Sequence, residues 1–185
     1  PNIVCVYDAG EDHDTLYIVM ELVRGKTLRD LAAKGLSYDR SLQIFIELLQ
    51  ALDYAHKQSV IHRDVKPSNI MILDDNTVKV MDFGLSRRVS DATNVTLPGE
   101  IVGTIAYLPP ERFLGKPSDL RSDLYSVGCV MYEIFTGQVP FKSPTEDLVS
   151  VIFAHVNEPP VAPRTKNPAI PAGLERIILK LIEKD

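Results

Sequence analysis

Cysteine is scarce in this chain, with only Cys5 and Cys129 among 185 residues. Two cysteines so far apart match no metal-ligand spacing, and a single pair gives no disulfide framework. Both are therefore expected to be ordinary thiols, in the core or on the surface, in a reducing compartment.

The sequence also lacks long apolar runs and an excess of positive charge. No stretch approaches the ~18 apolar residues of a membrane-spanning helix, and none has the pattern of a secretory signal peptide. The formal net charge of −5 argues against an autonomous nucleic-acid binder, although it leaves room for a local basic site. What remains is an ordinary globular composition, in a chain long enough for one domain with a core.

The predicted elements form a small β part followed by a helical part, which indicates an α+β fold. Two strands are expected at 2–10 and 15–23, around the polar turn EDHD. The turn DDNT joins two further short strands, IMIL and VKVM. Apolar residues at helical spacing then predict helices at about 123–135, 145–156 and 174–184.

A long helix is expected between the two pairs of strands, with Ser37 as its N-cap. Five apolar residues at helical spacing are predicted to form its buried face: Leu42, Phe45, Ile46, Leu49 and Leu52. Residues 82–108 show little periodicity, so a long, mobile loop is expected there, and loops of this length are usually functional or disordered.

The stretch HRDVKPSN, residues 62–69, concentrates polar groups in a loop between two apolar elements. Taken singly, each group has an ordinary explanation: Asp64 and Lys66 as a solvated pair, Asp82 in Asp-Phe-Gly as a turn. Together with Asn69, they provide two carboxylates, an amide and an ammonium group. Hard oxygen ligands hold Mg²⁺ and a cation balances phosphoryl charge, so this combination suits phosphoryl transfer.

Four segments together resemble the eukaryotic-type (Hanks-type) protein kinases. They are HRDVKPSN, DFG, GTIAYLPPE (103–111) and DLYSVGCVMYEIFTGQVPF (123–141). The lysine at position 66, in DVKPSN, resembles the residue that the serine/threonine branch has there. The sequences of the motifs are most similar to those of the bacterial members. The resemblance covers nearly the whole chain. It implies a protein-kinase-like fold that uses ATP and Mg²⁺ to phosphorylate serine or threonine hydroxyls of protein substrates.

The resemblance also implies roles for individual residues. Asp64 looks like the catalytic base, and Lys66 would contact the γ-phosphate. Asn69 and Asp82 would hold Mg²⁺. The residues expected to contact ATP are Met20, Glu21, Val23, Lys66, Ser68, Asn69, Met71 and Asp82. Within that set, Met20 would be the gatekeeper, the backbones of Glu21 and Val23 would meet the adenine edge, and Met71 would pack beneath the ring.

Structural and regulatory roles follow from the same resemblance. The structural residues would be His62, Phe83, Gly84, Glu111 and Asp123. Of these, Asp123 is expected to accept backbone hydrogen bonds from the catalytic loop, and it would also be a favourable charge in the first turn of a helix. Arg63 would grip a phosphorylated residue of the activation loop, with Thr96 as the expected site. Thr104 is expected to contact Asp64 and Lys66. Bacterial members often carry a second Thr two residues after the regulatory one, where this chain has Pro98.

The expected organisation is residues 1–20 as the end of the small lobe, 21–26 as the hinge and 27–185 as the large lobe. No G-x-G-x-x-G occurs in these residues. The chain is therefore expected to be a catalytic-domain fragment, inactive alone and prone to self-association through its exposed strands. A cytoplasmic location is expected for these residues, with no membrane segment among them and no nucleic acid as a partner. Whether the parent protein is anchored in a membrane elsewhere is left open at this point.

Two other functions remain open at the level of the sequence. One is a pseudokinase or interaction module, against which the intact Asp64, Asn69 and Asp82 argue. The other is a small-molecule phosphotransferase of the aminoglycoside or choline type, in which the segment GTIAYLPPE is not expected.

Overall fold

A computed structural model describes residues 1–13, 15–83, 104–143 and 147–184. Its strands are β1 (Val6–Asp12), β2 (Thr15–Met20), β3 (Gly25–Thr27), β4 (Ile70–Leu73) and β5 (Val78–Val80). Its helices are α1 (Leu28–Ala32), α2 (Tyr38–Lys57), α3 (Pro110–Phe113), α4 (Leu120–Thr136), α5 (Leu148–Asn157), α6 (Pro163–Lys166) and α7 (Ala172–Leu181). Most of the expected 82–108 loop lies outside the described residues.

The strands form two antiparallel sheets. β1 and β2 make a hairpin in which Val6 pairs with Met20, and β3, β4 and β5 make a three-stranded sheet in chain order. Both predicted pairs of strands are confirmed. The first strand begins later than predicted because the residues before it pair with β5 instead. Ile3 forms a parallel bridge to Val80, and the Val4 amide donates to the Val80 carbonyl at 3.0 Å.

Helix α2 begins where the sequence predicted, because the Ser37 hydroxyl accepts a hydrogen bond from the Arg40 amide. The prediction that Ile46 is buried was wrong, since 56% of this residue is exposed. The buried face is centred on Ile44 and Leu48. At ~100° per residue, Ile46 points about 200° away from Ile44 and therefore faces solvent.

Helix α4 passes through the centre of the helical part and is buried over most of its length. It begins three residues before the predicted start, with Asp119 as its N-cap. Gly128 lets α7 approach closely, since a Cβ atom there would lie 2.7 Å from both Leu181 Cβ and Ile182 Cγ2. The core that forms around α4 also includes α2, β4 and β5, and the polar loop between α2 and β4 lies against it.

Candidate active site

The loop that follows α2 ends in a short 3₁₀ turn, Pro67–Asn69. Proline suits the first position of such a turn because it has no amide hydrogen to leave unpaired. The backbone amide of Asn69 donates to the Lys66 carbonyl at 2.9 Å and closes the turn. Asn69 is buried and Ser68 beside it is half-buried.

Asp64 is the centre of a compact polar cluster. Asn69 Nδ2 donates to the Asp64 carbonyl at 2.9 Å and to its Oδ2 at 3.0 Å. Lys66 Nζ lies 2.8 Å from the same Oδ2. Lys66 Nζ also donates to Thr104 Oγ1 at 3.4 Å. The structure therefore brings four of the predicted residues together, although they span forty positions of the sequence.

Asp82 follows β5 directly and is half-buried. Its φ of 62° is in the left-handed region, which residues other than glycine seldom adopt. The preceding residue, Met81, donates its amide to the Asn69 carbonyl at 2.9 Å. This bond joins the segment that carries Asp82 to the turn that carries Asn69.

His62 is a buried structural residue. Its Nε2 lies 2.8 Å from the Met81 carbonyl, and the Asp64 amide donates to its Nδ1 at 3.2 Å. The two contacts together require a neutral ring protonated at Nε2, and burial accordingly lowers the pKa of His62. The ring also packs against Phe83, with 4.4 Å between ring centroids.

Asp123, in the first turn of α4, binds the backbone of the same loop. Its Oδ1 accepts from the Arg63 amide at 2.8 Å and its Oδ2 from the His62 amide at 2.9 Å. Oδ2 also lies 2.7 Å from His56 Nε2. Arg63 has a φ of 70°, so these bonds support a strained backbone.

Helix α3 and the segment before it are both anchored to α4 by side chains. Ser122 Oγ donates to Glu111 Oε1, and the hydroxyl of the buried Tyr107 donates to Glu133 at 2.6 Å. Burial is the main cause that raises the pKa of Tyr107 far above its usual range, so this phenol remains a donor.

The predicted adenine-facing residues lie at the end of β2, in the segment that follows it and on β4. Met20 ends β2 and is 37% exposed, and Val23 is half-buried in the connection to β3. Met71 lies on β4, paired with Thr27 on one side and Lys79 on the other.

Glu21 has an ion pair that sequence reasoning missed. Lys79 Nζ lies 2.5 Å from both Glu21 carboxylate oxygens. His56 beside Asp123 was missed as well. The residues in each pair are far apart in sequence, so no local pattern predicted them. The alternation in VKV gave one partial signal, because it places Lys79 on the side opposite the buried Val78 and Val80.

Two predicted residues, Gly84 and Thr96, lie outside the described residues. Arg63 is half-buried at the edge of the cluster. Its predicted contact with phosphorylated Thr96 stays a prediction, as do the other residue roles and the lobe boundaries.

A small β part joined to a helical part, with a polar loop carrying Asp64 after the first long helix, is the architecture expected of a kinase. The protein kinase domain family matches residues 1–185, and the chain belongs to that family. The resemblance and the fold class predicted from the sequence are thereby confirmed.

Several bacterial proteins align with the whole chain. Serine/threonine-protein kinase PknB of Mycobacterium leprae is 44% identical over 191 residues, which cover 100% of this chain and 30% of that protein. The proteins of the same name from Mycobacterium tuberculosis H37Rv and Mycolicibacterium smegmatis are also 44% identical, over 192 residues, with the same coverage. The chain thus spans about 30% of the length of these relatives. Within the part of the chain that the structure describes, no helix is long and apolar enough to cross a membrane.

Proposed function

We propose that the protein containing this chain transfers the γ-phosphoryl group of ATP to serine or threonine hydroxyls of protein substrates. The observation that carries the proposal is the cluster in which Lys66 and Asn69 both bind Asp64 Oδ2. The names of the relatives, serine/threonine-protein kinases, support the choice of acceptor.

Asp64 is the base for the acceptor hydroxyl in this proposal. The side-chain donors that reach its carboxylate from the described residues, Lys66 and Asn69, both bind Oδ2. Oδ1 is then the oxygen that orients the substrate hydroxyl and accepts its proton as the oxygen attacks phosphorus. The hydrogen bond from the Asn69 side-chain amide holds the carboxylate in place during this step.

Lys66 supplies positive charge beside the reacting groups. Its ammonium group lies between the Asp64 carboxylate and the Thr104 hydroxyl. From that position it can balance negative charge on the transferred phosphoryl group. The side chain is 19% exposed, so water screens this charge less than it would at the surface.

The donor set fits Mg²⁺. Asn69 uses its amide nitrogen on Asp64, which leaves its amide oxygen as an available ligand. Asp82 adds a carboxylate, and Mg²⁺ prefers one or two such oxygen ligands together with substrate phosphates. When bound there, the ion would neutralise charge on the β- and γ-phosphates.

The test uses the full-length protein and single-turnover assays with Mg²⁺ and ATP. Asp64→Asn is expected to cut the rate by about 10²–10⁴-fold with little change in ATP affinity, because its role is on the acceptor side. Asp82→Asn is expected to abolish transfer, because a metal ligand is lost. Asp74→Asn, in the exposed β4–β5 turn, is the matched control and should behave like the wild type.

Phosphoamino-acid analysis of the products tests the choice of acceptor. Phosphoserine or phosphothreonine is expected. Mainly phosphotyrosine would refute the acceptor class, and near-wild-type turnover of either Asp64→Asn or Asp82→Asn would refute the assignment of the cluster.

A further inference from the structure

The ion pair between Glu21 and Lys79 joins two parts of the molecule that are far apart in sequence. Lys79 Nζ contacts both oxygens of the Glu21 carboxylate at 2.5 Å. The Lys79 and Glu21 side chains are 14% and 28% exposed, so the pair is largely shielded from water. Exposed ion pairs contribute little, but partial burial and contacts to two oxygens strengthen this one.

Both ends of the pair are attached to backbone that is itself well held. The Glu21 amide donates to the Cys5 carbonyl at 2.9 Å, and the Cys5 amide donates back to Glu21 Oε2 at 3.3 Å. These bonds extend the β1–β2 pairing to Glu21. At the other end, Val78 and Val80 on either side of Lys79 are fully buried. The hydrogen bond from Lys79 is the main cause that lowers the pKa of Glu21, and the hydrogen bond from the Cys5 amide adds to it, so the carboxylate stays charged at a lower pH than an ordinary glutamate.

Lys79 leaves β5 on the same face of the sheet as Met71. The two residues are direct cross-strand partners, and side chains in such pairs lie side by side on one face. Their neighbours Ile70, Ile72, Val78 and Val80 point to the opposite face and into the core. Lys79 therefore spans the gap between the sheet face that carries Met71 and the chain segment that carries Glu21.

We propose that Glu21 and Lys79 are a positioning pair that fixes the distance between the adenine-facing segment at 21–23 and the sheet face at Met71. This inference rests on the proposed function and on the placement of the adenine between those two surfaces that the family resemblance implies. Neither side chain needs to touch the nucleotide. The pair acts by setting the distance between these two surfaces. Strand β5, which carries Lys79, also leads directly to Asp82.

The experiment compares Glu21→Gln, Lys79→Met and the exchanged pair Glu21→Lys/Lys79→Glu in the full-length protein. KM for ATP, kcat and the inhibition constant of adenosine are measured for each. KM and the adenosine constant are expected to rise together about five- to thirtyfold in both single variants, which is the size expected for losing a shielded charge-assisted bond. The exchanged pair should recover most of this loss, and kcat should change less than KM.

Adenosine separates positioning from a simple effect of charge, because it carries none. If charge alone mattered, Glu21→Gln would lower KM for the anionic ATP, and adenosine would bind equally well to all the variants. Either result would overturn the proposal, as would an exchanged pair that binds adenosine no better than the single variants. Should the exchanged pair fail to fold, the adenosine constants of the two single variants decide.

Lys57→Met is the matched control, since it removes a lysine from the exposed pair with Asp53 and should leave all three constants unchanged. Calorimetric titration with adenosine keeps the test separate from the proposed function. A wild-type protein without kinase activity would refute that function, and the titrations would still decide whether the pair sets nucleotide affinity.

Discussion

Replacing Asp123 should loosen the loop at 62–69 more than any other single carboxylate change in the described residues. Its side chain is fully buried and accepts from the His62 amide, the Arg63 amide and His56. Asp123→Ala removes all three acceptor contacts at once. Asp123→Asn keeps the shape and one acceptor oxygen, but it turns an amide group toward a donor.

The size of the effect follows from these contacts. A buried amide left without an acceptor costs about 1–3 kcal/mol, so Asp123→Ala should destabilise the closed loop by roughly 2–6 kcal/mol for its two amides. The left-handed backbone of Arg63 adds to the tendency to open, because strain of this kind persists only when its surroundings enforce it. Asp123→Asn should lose about half as much.

Hydrogen exchange of the His62 and Arg63 amides measures the effect directly, because it reports local opening. Exchange should be at least about thirtyfold faster in Asp123→Ala, since ~1.4 kcal/mol corresponds to a factor of ten. Asp119→Ala is the control, as it removes an exposed N-cap carboxylate from the same helix. Unchanged protection in Asp123→Ala, or equal effects in the two variants, would refute the reasoning.

Two further predictions concern the core. Gly128→Ala should destabilise the fold by about 1–3 kcal/mol, because the added Cβ would collide with Leu181 and Ile182. Gly173→Ala is the control, since a Cβ there meets nothing within 4 Å. Thermal unfolding of both variants checks the prediction, and equal melting temperatures would contradict it. Burial lowers the pKa of His155 to about 3, so the stability from its neutral form should be complete above about pH 6.5 and fall by up to roughly 5 kcal/mol as pH drops toward 3. Urea unfolding across this range should show that the free energy of unfolding falls less steeply with decreasing pH in His155→Gln than in the wild type. His13→Gln, at an exposed position, should behave like the wild type. The same pH dependence in His155→Gln and the wild type would contradict the prediction.

Local sequence signals predicted the elements well because each depends on neighbouring residues. Ser37 caps α2 through an amide three residues away, and the turn at 74–77 joins β4 to β5. The prediction that Ile46 is buried was wrong for a physical reason. An apolar residue at an approximate helical spacing is buried only if a partner element lies on its side of the helix, and the periodicity does not say where the centre of the buried face falls.

The residue types of the site were predictable, but only some of its contacts were. The family resemblance identified Asp64 and Asp82 as candidate site residues. It did not indicate that Lys79 binds Glu21 or that His56 binds Asp123. Each contact depends on how two elements pack, and that packing is decided by the whole core rather than by either segment.

The peptide groups of Met81 explain how the carboxylates of Asp64 and Asp82 are held in register. Its amide donates to the Asn69 carbonyl, and its carbonyl accepts from His62 Nε2. One residue therefore bonds to both ends of the loop that contains Asp64, and Asp82 follows it immediately. Because both bonds involve the backbone of Met81, the geometry does not depend on its side chain. It depends instead on a neutral, buried His62, whose ring holds the Met81 carbonyl and so has a structural role beside the cluster.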